Sequence, residues 1–124
     1  RDHPRGAGLA LHLGAVLGTP TVGVTDRPLV ARIDDEGRLV LEDREVGRAV
    51  VTRRGARPVC VHPGWRTDVE VAVAVVRSAA GRARTPEPLR RARFLARSSR
   101  ARDEGRLPAG WRMDEPSAPR LAGR

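Results

Sequence analysis

Along residues 6–18, Leu9, Leu13, Val16 and Leu17 fall at i, i+4, i+7 and i+8, the spacing of an apolar stripe on a helix. Gly18 and Pro20 stop that helix. "TPTVGVT" follows, a short β-branched run suited to a buried strand. Beyond Pro28, "RIDDEGRLVLED" reads as a charged hairpin turning at Asp35 to Gly37. The apolar runs "VGRAVVTR" and "RPVCVH" are separated by Arg54-Gly55-Ala56-Arg57, a spacing that predicts an antiparallel hairpin.

The stretch "TDVEVAVAVVRSAAG" carries two patterns at once. Its valines alternate with period two, yet it is long and Ala-rich for a strand. Thr67 and Glu70 also have the spacing of a capping box, so a helix ending at Gly81 is predicted. "TPEPLRRARFLARSSR" is a further helix, with Leu89, Phe94 and Leu95 for apolar contact and Arg on its exposed side. From Asp103 onward Pro108, Gly110, Pro116, Pro119 and Gly123 leave little to pack, and a disordered tail over 103–124 is expected. There are no internal repeats. The order helix, strand, hairpin, helix, helix predicts an α/β layer over 1–102.

At 124 residues the chain has room for one ordinary domain. Trp65, Trp111 and Phe94 are its only aromatics, so the core must be built from Val, Leu and Ala. The single Cys60 cannot form an internal disulfide and sits in the apolar run "PVCVH", which marks it as a buried strand residue. A reducing compartment, and by default the cytoplasm, is expected. No stretch approaches the roughly 18 apolar residues of a membrane span.

The net charge is +9 and every basic residue is Arg. Arg77 to Arg102 contains nine Arg against Glu87 alone, a local charge of +8 (nine minus one), so the rest of the chain is nearly neutral. Such a block suits an anionic partner, most often nucleic acid, with Arg90, Arg91, Arg93 and Arg97 as its candidate surface. A solvated helix face in an Arg-biased protein is the plainer explanation.

Three segments in register carry a resemblance. "HPRGAGLALHLGAVLGTPTVGV", "VHPGWRTDVEVAVAVV" and "RTPEPLRRA" are similar to the central segment, the Pro-Gly-His-Arg turn with its helix, and the Leu-Pro-Glu-Pro-Thr-Arg stretch of the endonuclease V family. The resemblance covers about residues 2 to 100. It implies a ribonuclease-H-like mixed sheet with flanking helices, and a nuclease that nicks DNA or RNA beside deaminated adenine (inosine). It also implies Mg²⁺ or Mn²⁺ as cofactor, activating water and neutralising the phosphate. In the family the Asp of an Asp-Gly-x-Gly strand end, and carboxylates of earlier strands, hold that ion. These lie ahead of the His-Pro-Arg, so this chain is expected to start after its N-terminal strands and to bind no metal by itself.

Residue by residue, the resemblance places His3, Gly8, Gly23 and Leu29 at the base-binding pocket. Each also has an ordinary reading: a terminal His, packing clearance for the glycines, core for Leu29. At two family positions the chain departs. Asp26 stands where the family has a Lys that steadies phosphate, reversing the charge there. Trp65 stands for the His of Pro-Gly-His-Arg, and an indole offers only an N–H donor. On an extended strand His62 emerges about 10 Å from Trp65, too far to substitute. His12, beside Leu9 on the helical stripe, reads as a packing residue rather than a ligand.

Three functions remain open at this point. One is a truncated or inactive endonuclease V-like nuclease. Another is a non-catalytic basic nucleic-acid-binding protein, and the third is a decayed fragment. If the first strands are absent, exposed sheet edges and helices short of apolar cover are also expected.

Overall fold

The computed structural model describes His3 and residues 6–106. Two compact units divide the chain, Arg1–Glu87 and Pro88–Arg124. In the first, helix α1 (Leu9–Leu17) leads into strands β1 (Val22–Thr25), β2 (Arg32–Ile33), β3 (Arg38–Leu41), β4 (Arg44–Val50) and β5 (Val59–Pro63), followed by helix α2 (Val69–Ala80). Helix α3 (Glu87–Asp103) opens at the last residue of the first and makes up most of the described part of the second. The tail expected from Asp103 begins one residue inside the observed helix end, and 107–124 lie outside the described residues.

The sheet runs β1-β5-β4-β3-β2, and all four pairings are antiparallel. Both predicted hairpins are present. The first turns at Asp34 to Gly37, where Asp34 Oδ1 accepts from the backbone N–H groups of Glu36 (3.0 Å) and Arg38 (2.8 Å). This is an Asx-type turn, with Gly37 supplying the positive φ of 77°. A second tight turn joins β3 to β4 through Glu42 and Asp43, both left-handed at φ 49° and 60°. Two such residues between paired strands match a type I′ connection, built here without glycine.

Strand alternation divides the core. Val50, Val59 and Val61 face Ala72, Val73 and Val76 of α2, with Val22, Val24 and Val69 packed around them. On the other side of the sheet Ala31, Leu39, Val46 and Cys60 form a second cluster with Leu41. Cys60 is buried, as its apolar setting predicts, and the core is aliphatic. Gly47 is required in β4, because a Cβ there would collide with the Val61 carbonyl oxygen.

Two helix expectations are corrected. The cap of α2 is Asp68, whose Oδ1 accepts from the Val71 N–H at 2.8 Å, and not Thr67. Thr67 is drawn elsewhere, its hydroxyl donating to the Thr21 carbonyl at 2.8 Å. The stripe of α1 faces outward: Leu9 is 75 % exposed, Leu13 48 %, Val16 83 % and Leu17 69 %. His12, expected to pack on that face, is exposed as well. What α1 turns to the sheet is its small-residue side. Gly14 is buried against Trp65, Thr21 and the Thr19 carbonyl, and the Ala10 methyl faces Gly23. Small residues let a helix approach this closely, and the Leu and Val side chains are left over.

Candidate nucleic-acid interface

Thr21 organises the start of β1. Its hydroxyl donates to the Ala10 carbonyl at 2.6 Å and accepts from the Trp65 N–H at 2.9 Å. Its N–H donates to the Trp65 carbonyl at 3.1 Å, and its carbonyl accepts from Gly64 N–H (2.9 Å) and the Thr67 hydroxyl. One residue thereby ties α1, β1 and the Pro63-Gly64-Trp65-Arg66 turn together. The turn needs its glycine, since a Cβ on Gly64 would run into Thr21. Arg66, left-handed at φ 49°, places its guanidinium 5.7 Å from the Trp65 ring centroid, a cation–π arrangement. The indole N–H is buried with no hydrogen-bond partner. Trp65 is thus a packing and stacking residue, without the proton chemistry of an imidazole.

The opposite end of β1 carries a second polar group. The Asp26 carboxylate accepts from Arg84 Nη1 at 2.7 Å. Arg84 also donates to the backbone carbonyls of Arg57 (2.8 Å) and Pro58 (3.0 Å), and its own carbonyl accepts from the Thr52 hydroxyl. The acid at the family's lysine position therefore has a guanidinium on it. Beside this pair, the Thr25 hydroxyl donates to the Arg27 carbonyl at 2.8 Å. His62 Nε2 lies 3.3 Å from the same oxygen. The His62 ring lies over the space that Gly47 leaves open.

The two departures from the family pattern are not brought together. Trp65 meets Thr21 ahead of β1 and Asp26 follows β1, so roughly 16 Å of extended chain lies between Thr21 and Asp26. Of the base-pocket candidates, Gly8 and Gly23 are linked through α1: Gly8 precedes the helix whose Ala10 faces Gly23. Gly8 has open space where a side chain would go. His3 is half-buried, its carbonyl accepting from the Gly6 N–H at 2.8 Å. Leu29 is 61 % exposed in the link from β1 to β2, which removes it from the core.

The arginine candidates lie on α3. Arg90, Arg93, Arg97 and Arg100 recur at i, i+3, i+7 and i+10, one face of the helix, with Arg91 and Arg102 flanking them. All six are exposed, and no acidic residue interrupts 88–102. The sequence reading missed Thr21 and Arg84. Their partners lie 11 to 58 residues away, so no local pattern marks them.

Among the described residues no three His, Cys, Asp or Glu side chains come together as a metal site. The Asp26 carboxylate, directed at Arg84, lacks the companion carboxylates that Mg²⁺ or Mn²⁺ requires. The described residues do not fit the ion.

Comparison with known proteins gives a consistent picture. The sequence profile described as Endonuclease V matches residues 1–94. The Endonuclease V of Methanopyrus kandleri is 46 % identical over 110 residues, covering 83 % of this chain and 48 % of that protein. The crystal structure of the Streptomyces avermitilis Endonuclease V superposes with a TM-score of 0.74 at 39 % identity, covering 86 % of this chain and 49 % of that one. A Ciona intestinalis Endonuclease V, solved with a 24mer DNA containing an inosine followed by a ribo-adenosine, superposes at 0.68 with 22 % identity, covering 82 % and 52 %. At that identity it speaks for the fold alone. The architecture is the ribonuclease-H-like α/β arrangement expected. The chain spans about half the length of the curated relatives it matches.

Proposed function

The chain belongs to the endonuclease V family, and from that premise we propose that it is the nucleic-acid-holding portion of an inosine-directed nuclease, unable to cut by itself. The observation that carries this reading is the arginine face of α3, six exposed arginines with no acid among residues 88–102, of which Arg100 also reaches Glu104 at 3.9 Å. Guanidinium groups pair with phosphate oxygens bidentately, and releasing the counterions of the nucleic acid drives the association. Inosine-containing nucleic acid is the partner that membership of this family implies.

Hydrolysis is a separate matter. In this reaction class a divalent ion activates the attacking water and neutralises the phosphate. The described residues offer no carboxylate set for it. Asp26 is an anion and offers phosphate no cation, and its charge is balanced by Arg84. His3, Gly8, Gly23 and Leu29 are the proposed contacts to the base, and the cytoplasm is the proposed location.

The test is binding of labelled DNA and RNA, with and without inosine, across a salt series. Affinity falls steeply with salt, and changing Arg90, Arg91, Arg93 and Arg97 to Gln makes the negative slope of log K against log salt shallower by about 3 to 4. An unchanged slope refutes the α3 surface. Incubation of inosine DNA with residues 1–124 and Mg²⁺ or Mn²⁺ gives no nick, and metal-dependent cleavage refutes the non-catalytic reading.

A further inference from the structure

Three segments remote in sequence meet at one end of the sheet. Val50 pairs with Val59 and Thr25 with Cys60, so the β4–β5 loop (51–58) and the chain leaving β1 at Asp26 emerge together. Arg84, from the link after α2, joins both: it donates to the Arg57 and Pro58 carbonyls and to the Asp26 carboxylate. The Thr52 hydroxyl donates to the Arg84 carbonyl, which fastens the other end of the loop. Between these ties the loop closes a tight turn. The Ala56 N–H donates to the Arg53 carbonyl at 3.1 Å, and Gly55 takes φ 76°. A positive φ at the third position of such a turn calls for glycine.

The charge on these segments is one-sided. Residues 26–27, 51–58 and 81–86 hold six Arg against Asp26 alone, a local charge of +5 (six minus one). Arg27, Arg53, Arg54, Arg57 and Arg82 are exposed. Among the described residues none of these five forms an ion pair, unlike Arg38, Arg48 and Arg84. Like charges gathered at one end repel, and an anion laid across them relieves that repulsion. Because the loop is tied at both ends, less of its freedom is lost when such a partner binds.

We propose that this arginine end of the sheet is a second phosphate-binding surface, gripping the backbone of a nucleic acid through residues other than those of α3. The inference rests on the nucleic-acid reading and deepens it. Guanidinium groups meet phosphate oxygens with paired hydrogen bonds, and each phosphate neutralised releases counterions. Contacts of this kind carry no base information, so the surface fixes position on the strand and does not select inosine. Five cations drawn from three segments suit a polymer with phosphates in a row, and exceed what one isolated phosphate can use.

The test is binding of the full chain to a short labelled duplex without inosine, across a salt series. Changing Arg53, Arg54 and Arg57 together to Gln makes the negative slope of log K against log salt shallower by about 2 to 3. These side chains have no ion-pair partner to lose, so the melting temperature is unchanged. Changing Arg32 and Arg44 to Gln, exposed charges at the opposite end of β4, leaves the slope as it was. In the parent protein, added duplex slows hydrogen exchange at the amides of 54–57. Inorganic phosphate at matched ionic strength does not displace the duplex.

A slope that survives the loop changes but falls with the α3 changes overturns this proposal alone. The reverse result keeps it and removes the α3 surface. A duplex displaced by inorganic phosphate overturns it in favour of a single-anion site. No binding by the parent protein overturns it together with the nucleic-acid reading.

Discussion

Thr21 and Trp65, 44 residues apart, exchange two hydrogen bonds: the Trp65 N–H donates to the Thr21 hydroxyl, and the Thr21 N–H donates to the Trp65 carbonyl. The same hydroxyl donates onward to Ala10 of α1. Its position ahead of β1 makes Thr21 the joint between helix, strand and turn.

Replacing Thr21 by Val keeps the shape and removes the hydroxyl. The Ala10 carbonyl and the Trp65 N–H then lose their partner in a half-buried setting, at a cost of about 1–3 kcal/mol. Thr21→Ser retains both bonds and costs less. Urea denaturation of the two variants gives the comparison, and equal losses refute the hydrogen-bond account.

Gly14→Ala distinguishes packing from propensity. In an open helix this change stabilises by about 1 kcal/mol. Here the new methyl meets Trp65 and Thr21 where α1 and the turn are closest, and overpacking costs about 1–3 kcal/mol. The melting temperature therefore falls. Gly8→Ala meets open space but replaces the N-cap glycine of α1, so any loss there comes from the cap and not from a collision, and it is smaller than that of Gly14→Ala.

Arg84 holds the end of β1 to the approach to β5 through Asp26, Arg57 and Pro58. Arg84→Gln removes one ion pair and the guanidinium bonds to two carbonyls, costing about 1–2 kcal/mol. Asp26→Asn costs under about 1 kcal/mol, because the pair is partly exposed and Arg84 keeps its carbonyl partners. Asp26→Lys sets two cations against each other and destabilises, so the family's residue is accepted only if Arg84 is changed as well. Denaturant titrations in which Asp26→Asn equals Arg84→Gln contradict this order.

Acid weakens the β2–β3 hairpin at Asp34. Hydrogen bonding from the Arg38 backbone N–H, then from its side chain, holds the Asp34 carboxyl below the usual carboxylate value. A depressed folded value means that the carboxylate's contribution is complete above the unfolded value of about 3.9 and is lost as pH falls below it. Stability of the Asp34→Asn variant declines less steeply than the parent's on acidification below pH 4 or so. Parallel acid curves for the two proteins refute the assignment.

Local chemistry determined much of this protein. The β-branched runs, the Asp34 to Gly37 turn and the valine-rich helix ending at Gly81 are each specified by neighbours in sequence, and the structure contains them. The arginines of α3 were legible for the same reason, since helical spacing alone puts Arg90, Arg93, Arg97 and Arg100 on one face. The β3–β4 turn escaped because Glu42 and Asp43 take left-handed conformations usually given to Asn or Gly.

Other features depend on partners far away in the chain, and only the tertiary structure decided them. A capping box at Thr67 is a sound local expectation, but the hydroxyl is claimed by Thr21 from across the fold and Asp68 caps the helix. Periodicity identified the stripe of α1 without its direction: a helix can pack by its large side chains or by its small ones, and close approach to Thr21 and Trp65 selected Ala10 and Gly14. The charge reversal at Asp26 likewise became a neutral pair once folding delivered Arg84, 58 residues on, to the same carboxylate. Sequence fixes what lies near along the chain, whereas burial, charge pairing and the choice of packing face are set by whatever the fold brings alongside.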